Sequence, residues 1–129
     1  LQAEYMATWV DRPTGSKVNF DGGYVAVAYV LTGETVTYSK GVVEGIKPKA
    51  NFSPSAGGWG AWQIAARYSF VDLNDLNVLG GKEENITAAL NWWLNPNLRA
   101  SFNYVRFDAK RQGARTAGDA FAFRVGVVW

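Results

Sequence analysis

The chain has 129 residues, with 13 lysines and arginines against 11 aspartates and glutamates, and it contains neither cysteine nor histidine. That length supports one modest domain. The missing cysteine excludes disulfide scaffolds and thiolate metal centres, the missing histidine removes the commonest general base and metal ligand, and a net charge of +2 without a dense Lys/Arg cluster excludes the electrostatic footprint of a nucleic-acid binder.

Hydrophobic residues make up 48% of the chain and aromatics 15%, yet no apolar run approaches the roughly 20 residues of a membrane-spanning helix. The apolar residues are spread by alternation instead. Leu1–Val10 sets Ala3, Tyr5, Ala7 and Trp9 against Gln2, Glu4, Met6 and Thr8, the period of two that marks a strand. Asp11–Gly22, with Pro13 and Gly15, reads as a loop. Tyr24–Thr32 is a strand, with Val25, Val27, Tyr29 and Leu31 opposite the smaller Ala26, Ala28 and Val30. Thr32-Gly33-Glu34 predicts a tight turn, Thr35–Ile46 a further strand interrupted by Gly41 and Gly45, and Lys47–Gly58 a Pro/Gly/Ser-rich loop.

Trp59–Val71 separates cleanly into Trp62, Ile64, Ala66, Tyr68 and Phe70 on one face and Ala61, Gln63, Ala65, Arg67 and Ser69 on the other. Asp72–Glu83 is polar, ends at Gly80-Gly81 and reads as a loop. Asn85–Leu94 puts Ile86, Ala88, Leu90, Trp92 and Leu94 on one face; Asn95-Pro96-Asn97 is a turn signal; Leu98–Phe107 opposes Leu98, Ala100, Phe102 and Tyr104 to Arg99, Ser101, Asn103 and Val105. The charged Asp108–Gly118 reads as a loop. In the last stretch, Phe121, Phe123, Val125, Val127 and Trp129 share one parity and Ala120, Ala122, Arg124, Gly126 and Val128 the other. No helix is predicted.

About seven antiparallel strands at hairpin spacing fit two architectures, a soluble β-sandwich binding module and a transmembrane β-barrel. The position of the aromatics favours the barrel, because they gather on one face and near strand ends, where lipid-facing girdles lie. A terminal aromatic strand fits as well, since in a closed barrel the last strand pairs with the first and leaves no edge. An odd strand count, against the even number of single-chain bacterial barrels, together with a start at Leu1 and no visible signal peptide, predicts that residues 1–129 are the C-terminal part of a larger barrel.

The pieces Tyr29-Val30-Leu31-Thr32-Gly33-Glu34, Ile46-Lys47-Pro48, Gly60-Ala61-Trp62 with Ala66-Arg67-Tyr68, and Leu90-Asn91-Trp92-Trp93-Leu94-Asn95 resemble, in this order, the phosphate-selective porins O and P. The resemblance implies an all-β, antiparallel, sixteen-stranded barrel in the Gram-negative outer membrane. It implies a homotrimer that passes small anions, phosphate or pyrophosphate above all, by passive diffusion. Two departures stand out: Trp129 occupies a terminal position where phenylalanine is usual, and the family's lysine cluster and much of its arginine ladder belong to earlier strands and infolded loops outside this chain.

Arg67, Arg99 and Arg124 fall on the parity opposite the apolar face of their strands, and three inward guanidiniums suit an anion path, being permanently charged and matched to phosphate oxygens. The plain alternative is that each pairs with an inward carboxylate and braces the wall. Lys47 and Lys49, flanking Pro48, read as solvated turn residues. Arg106, of outward parity near a strand end, reads as snorkelling to lipid headgroups. Lys110, Arg111 and Arg115 read as a solvated loop able to meet lipopolysaccharide phosphates. Glu83-Glu84 and Asp72 with Asp75 lack the surroundings of a calcium or catalytic site; no nucleotide loop or nucleophile triad is present. The expectation is therefore a non-enzymatic channel wall with no cofactor and no nucleic acid. Its partners would be small anions, outer-membrane lipid and lipopolysaccharide, and further copies of itself. Phe121, Phe123 and Trp129 would form the terminal assembly strand. With a periplasmic C-terminus, Asn95-Pro96-Asn97 and Lys47–Gly58 are periplasmic, and Asp72–Glu83 and Asp108–Gly118 are extracellular loops.

Overall fold

A computed structural model describes residues 1–36, 38–39, 42–43 and 45–127, with only the backbone at 38–39 and 42–43. The strands are β1 (Gln2–Val10), β2 (Val18–Val30), β3 (Tyr38–Ser39), β4 (Val42–Val43), β5 (Ala61–Asp75), β6 (Val78–Asn95), β7 (Leu98–Arg111) and β8 (Ala114–Val127), and no helix is present among the described residues. Six of them form one antiparallel sheet in the order β1-β2-β5-β6-β7-β8, while β3 and β4 pair only with each other. β1 and β2 run in register from Gln2↔Ala26 to Val10↔Val18. The all-β, antiparallel expectation holds.

Several sequence readings are corrected. Thr35–Ile46 is not a strand of the sheet: its described part holds only the two-residue strands of the β3–β4 hairpin. The sheet therefore has six strands rather than seven. Asp72–Glu83 and Asp108–Gly118 are not loops but the ends of long strands closed by two-residue turns at Leu76-Asn77 and Gln112-Gly113. Alternation fades there because both faces are polar, whereas backbone pairing needs only a neighbouring backbone. Gln112 and Gly113 both take left-handed conformations, φ 50° and 81°, as a two-residue hairpin of the I′ type requires. Asp11–Gly22 likewise shrinks, since β2 begins at Val18. The Asn95-Pro96-Asn97 turn is where the sequence put it: the Asn95 side-chain oxygen accepts from the amides of Asn97 and Leu98, both at 2.8 Å.

Burial is sparse. The buried apolar residues are Val18, Ile46, Ala61, Trp93 and Ala100, whereas Phe121 is 82% and Phe123 61% exposed. A sandwich would bury one face of this sheet against a second sheet about 10 Å away; among the described residues the other sheet has strands of only two residues.

By contacts the chain divides into two units, one of Leu1–Val27, Ala66–Thr87 and Tyr104–Ala120, the other of Ala28–Ala65, Ala88–Asn103 and Phe121–Trp129. In the first unit the apolar face ends on a line of charge. Phe70 is followed on its face by Asp72, Ile86 by Glu84, and Tyr104 by Arg106, which is salt-bridged to Asp119 at 3.0 Å. The Ser69–Asn85 hydrogen bond sets Phe70 opposite Glu84, and the approach of Gly81 to Arg111 sets Ile86 opposite Arg106. The line thus shifts by two residues from β5 to β6 and again from β6 to β7, then stays level to β8. At about 3.3 Å per residue and about 4.8 Å per strand, it crosses the strands at a slope of roughly 40°.

Candidate functional site

In the second unit the long connection from Leu31 to Gly60 is tied at its root. The Leu31 amide donates to the Trp62 carbonyl at 2.8 Å, and the Trp62 amide donates to the Thr32 hydroxyl at 3.0 Å. That hydroxyl donates in turn to the Glu34 carboxylate, which also accepts from the Lys49 amide at 3.3 Å. The loop is so folded back that Ile46, 2% exposed, packs on Ala61, 0% exposed, and Trp93, 7% exposed, with Val30 beside them. Gly60 makes this possible: its φ is +69°, and a Cβ there would stand 2.3 Å from the Trp93 carbonyl oxygen. The Gly60-Ala61-Trp62 motif thus has a physical reading. The glycine allows the close turn, the alanine fills the space under Ile46, and Trp62 stacks on Trp92 with ring centres 5.0 Å apart.

Ala61 on β5 and Trp93 on β6 share the parity of Gln63 and Asn91 on those strands, which are linked by a side-chain hydrogen bond of 3.0 Å, with Ser101 bonded to Asn91 at 2.7 Å. The loop therefore docks on the polar face. Docking Ile46 carries Lys47 to the rim of a cavity of about 350 Å³, which Arg99 and Arg124 also line, together with Trp93, Asn97, Leu98 and Val127. The Arg99 guanidinium lies 5.5 Å from the centre of the Trp93 ring. Among the described residues no Asp or Glu lines this cavity. The ion pairs among the described residues engage Lys17, Lys82, Arg106 and Arg115, and neither Lys47, Arg99 nor Arg124 takes part in them. Three cations around a pocket without a counter-charge among the described residues give a local positive potential that draws anions.

The structure therefore regroups the three arginines. Arg99 and Arg124 share one cavity. Arg67 belongs to the first unit, where its guanidinium lies 4.1 Å over the Tyr24 ring and the Tyr24 hydroxyl accepts from Gln2 at 2.7 Å; an aromatic ring, not a carboxylate, braces it. Lys47 is the residue that sequence reasoning passed over as a solvated turn lysine. Its signal was Ile46 just before it, an apolar residue at the edge of the Pro/Gly/Ser-rich loop that needed somewhere to pack. Arg106 has a partner that sequence reasoning did not give it: it holds both carboxylate oxygens of Asp119 at 3.0 Å, and Asp119 also accepts from the Tyr104 hydroxyl at 2.6 Å. Arg115 pairs with Asp108, and it, Lys110 and Arg111 lie in strands rather than a loop. The acidic pairs have structural work: Asp72 accepts from Asn74 at 3.0 Å, and Asp75 from the Asn19 amide at 2.6 Å. Among the described residues no cluster of acidic groups could hold a metal ion. Phe123 packs on Phe102, ring centres 4.7 Å apart; Trp129 lies outside the described residues.

Glu34 is the titratable latch of the loop. Burial pushes its carboxyl up, but the bonds from Thr32, the Lys49 amide and its own amide, with the Lys49 charge, hold it below its usual 4.5. A folded value below the unfolded one means that the latch stabilises above the unfolded value and is lost as pH falls through the folded value. Hydrogen exchange at the Lys49 amide is expected to be slow at pH 7 and to quicken, relative to neighbouring amides, as pH drops below 4.5. In Glu34→Gln that pH response should vanish; a response that persists there would assign it to another group.

The family model described as phosphate-selective porin O and P matches residues 1–129. Among curated relatives, an uncharacterized protein of Caulobacter vibrioides is 38% identical over 114 residues, covering 88% of this chain and 22% of the relative. Porin O of Pseudomonas aeruginosa is 29% identical over 142 residues, covering 99% of this chain and 32% of the relative. The chain thus spans between about a fifth and a third of the length of these relatives. With the family model matched along its whole length, this chain belongs to the phosphate-selective porin O and P family.

Proposed function

We propose that the chain forms part of the wall of an outer-membrane channel through which small anions, phosphate among them, diffuse passively. Lys47, Arg99 and Arg124 form an anion-attracting site on the path, and Arg67 adds a further positive group. The observation that carries this reading is the cavity on the polar face, rimmed by those three cations and, among the described residues, by no carboxylate. Guanidinium groups match phosphate oxygens in pairs, and a permeating ion needs sites that attract it without trapping it.

Family membership supports a porin. The sloped line of charge supports a membrane barrel, because strands in such barrels tilt by about 35–45°. A level membrane surface therefore crosses them obliquely, with the paired charges at the lipid headgroups and lipopolysaccharide, and the exposed aromatics below in hydrocarbon. In this reading the protein is a homotrimer, works without a cofactor or catalytic step, and uses Phe121, Phe123 and Trp129 as the strand that guides assembly.

The test is the full-length protein in planar bilayers. A salt gradient should give a reversal potential on the anion-selective side, and added phosphate should lower the chloride current. Cation preference, or recovery as a soluble monomer without detergent, would overturn the reading.

A further inference from the structure

We infer that the Lys47–Arg99–Arg124 cavity is shaped for an anion that carries an apolar body, such as an aryl phosphate, in preference to bare inorganic phosphate. The inference rests on the anion-channel reading and names a ligand class for its site.

The argument is the asymmetry of the cavity. Its cations are Lys47, Arg99 and Arg124, and the rest of the wall includes Trp93, Leu98 and Val127. Inorganic phosphate is hydrated on every side. Seated by these cations, it would turn part of its remaining oxygens toward the aliphatic carbon of Leu98 and Val127, which offers no donors to replace the lost water. A ligand with its charge at one end and a ring at the other satisfies both walls. Its phosphate would accept from the guanidiniums in pairs, while its ring would lie against Trp93, Leu98 and Val127. Arg99 already lies 5.5 Å from the Trp93 ring centre. Guanidinium and indole are both planar groups that stack on aromatic rings, so this pair offers a surface for one. The size agrees: about 350 Å³ lies at the lower end of small-molecule sites, about 300–1,000 Å³, room for one ring with a charged substituent.

The experiment is block of chloride current through the full-length channel in planar bilayers by inorganic phosphate, phenyl phosphate and phenol. Phenyl phosphate should block at about tenfold lower concentration than phosphate, the scale expected for partly burying one ring, and neutral phenol should not block. Trp93→Leu, which keeps an apolar side chain in the small core, should bring the blocking concentrations of phenyl phosphate and phosphate close to each other, whatever it does to block by phosphate itself. Leu98→Asn, at a half-buried position outside the Ile46–Ala61–Trp93 cluster, should reduce the advantage even if Trp93→Leu does not assemble. Equal block by the two phosphates in a channel that is still anion-selective would overturn the inference and leave the channel reading standing. So would an advantage that survives both variants. Absence of anion selectivity in the wild type would instead defeat the channel reading itself.

Discussion

Changing Lys47, Arg99 and Arg124 together to glutamine is expected to remove most of the anion preference of the full-length channel. The three cations rim one cavity, with no carboxylate among its described lining residues. A unit charge about 6 Å from a passing ion in a water-filled path contributes roughly 0.7 kcal/mol, so three contribute about 2 kcal/mol, or about thirtyfold in local anion concentration at low salt. At physiological salt the Debye length is about 8 Å and the effect shrinks, so the measurement belongs at low ionic strength. Assembly should survive, because substitutions on the channel side tune selectivity whereas charges on the lipid side destabilise. Arg67→Gln alone should act weakly, since that guanidinium lies over Tyr24. An unchanged reversal potential in a triple variant that assembles normally would show that these side chains only shape the wall.

Gly60→Val is expected to have the largest effect on stability. A β-branched residue at φ +69° is strained by about 1–3 kcal/mol. Its Cβ would also meet the Trp93 carbonyl oxygen at 2.3 Å and the Trp92 indole nitrogen at 3.0 Å. Backbone must therefore move at the point where Ala61 and Trp93 seat Ile46, and the loop that carries Lys47 should lose its place. We expect a loss of about 3 kcal/mol or more, read as a lower yield of the compact, unboiled form on detergent gels and a weaker block by phosphate. Gly57→Ala is the control. Gly57 also has positive φ, +72°, but nothing within 4 Å of a Cβ, so it should cost only about 1 kcal/mol. Equal behaviour of the two variants would mean that the contact with Trp93 does not constrain the fold.

The sequence by itself determined the all-β class, the turn at Asn95-Pro96-Asn97 and the two faces along the middle of β5 to β8, but not at their ends, where Leu98 and Val127, read onto the apolar face, line the cavity with Arg99 and Arg124. All three follow from local rules: side chains alternate with every residue along a strand, and an asparagine folds onto its own following amides. Family resemblance was legible for the same reason, since Gly60-Ala61-Trp62 is a short run whose demands on φ, volume and ring stacking are met within a few ångströms.

The tertiary structure alone decided how far the strands run and where the loop lies. In Asp72–Glu83 and Asp108–Gly118 polar residues on both faces hid the strand, because alternation reports contrast between faces while pairing depends on the neighbouring backbone. Only register, set by contacts such as Ser69–Asn85, showed that the border of the apolar face climbs from strand to strand. The site was likewise beyond reach of any local pattern. Lys47 meets Arg99 and Arg124 because Ile46 finds Ala61 and Trp93, partners that come later in the chain and on two different strands. Burial of one isoleucine between them, rather than any property of the lysine, decides where that charge stands.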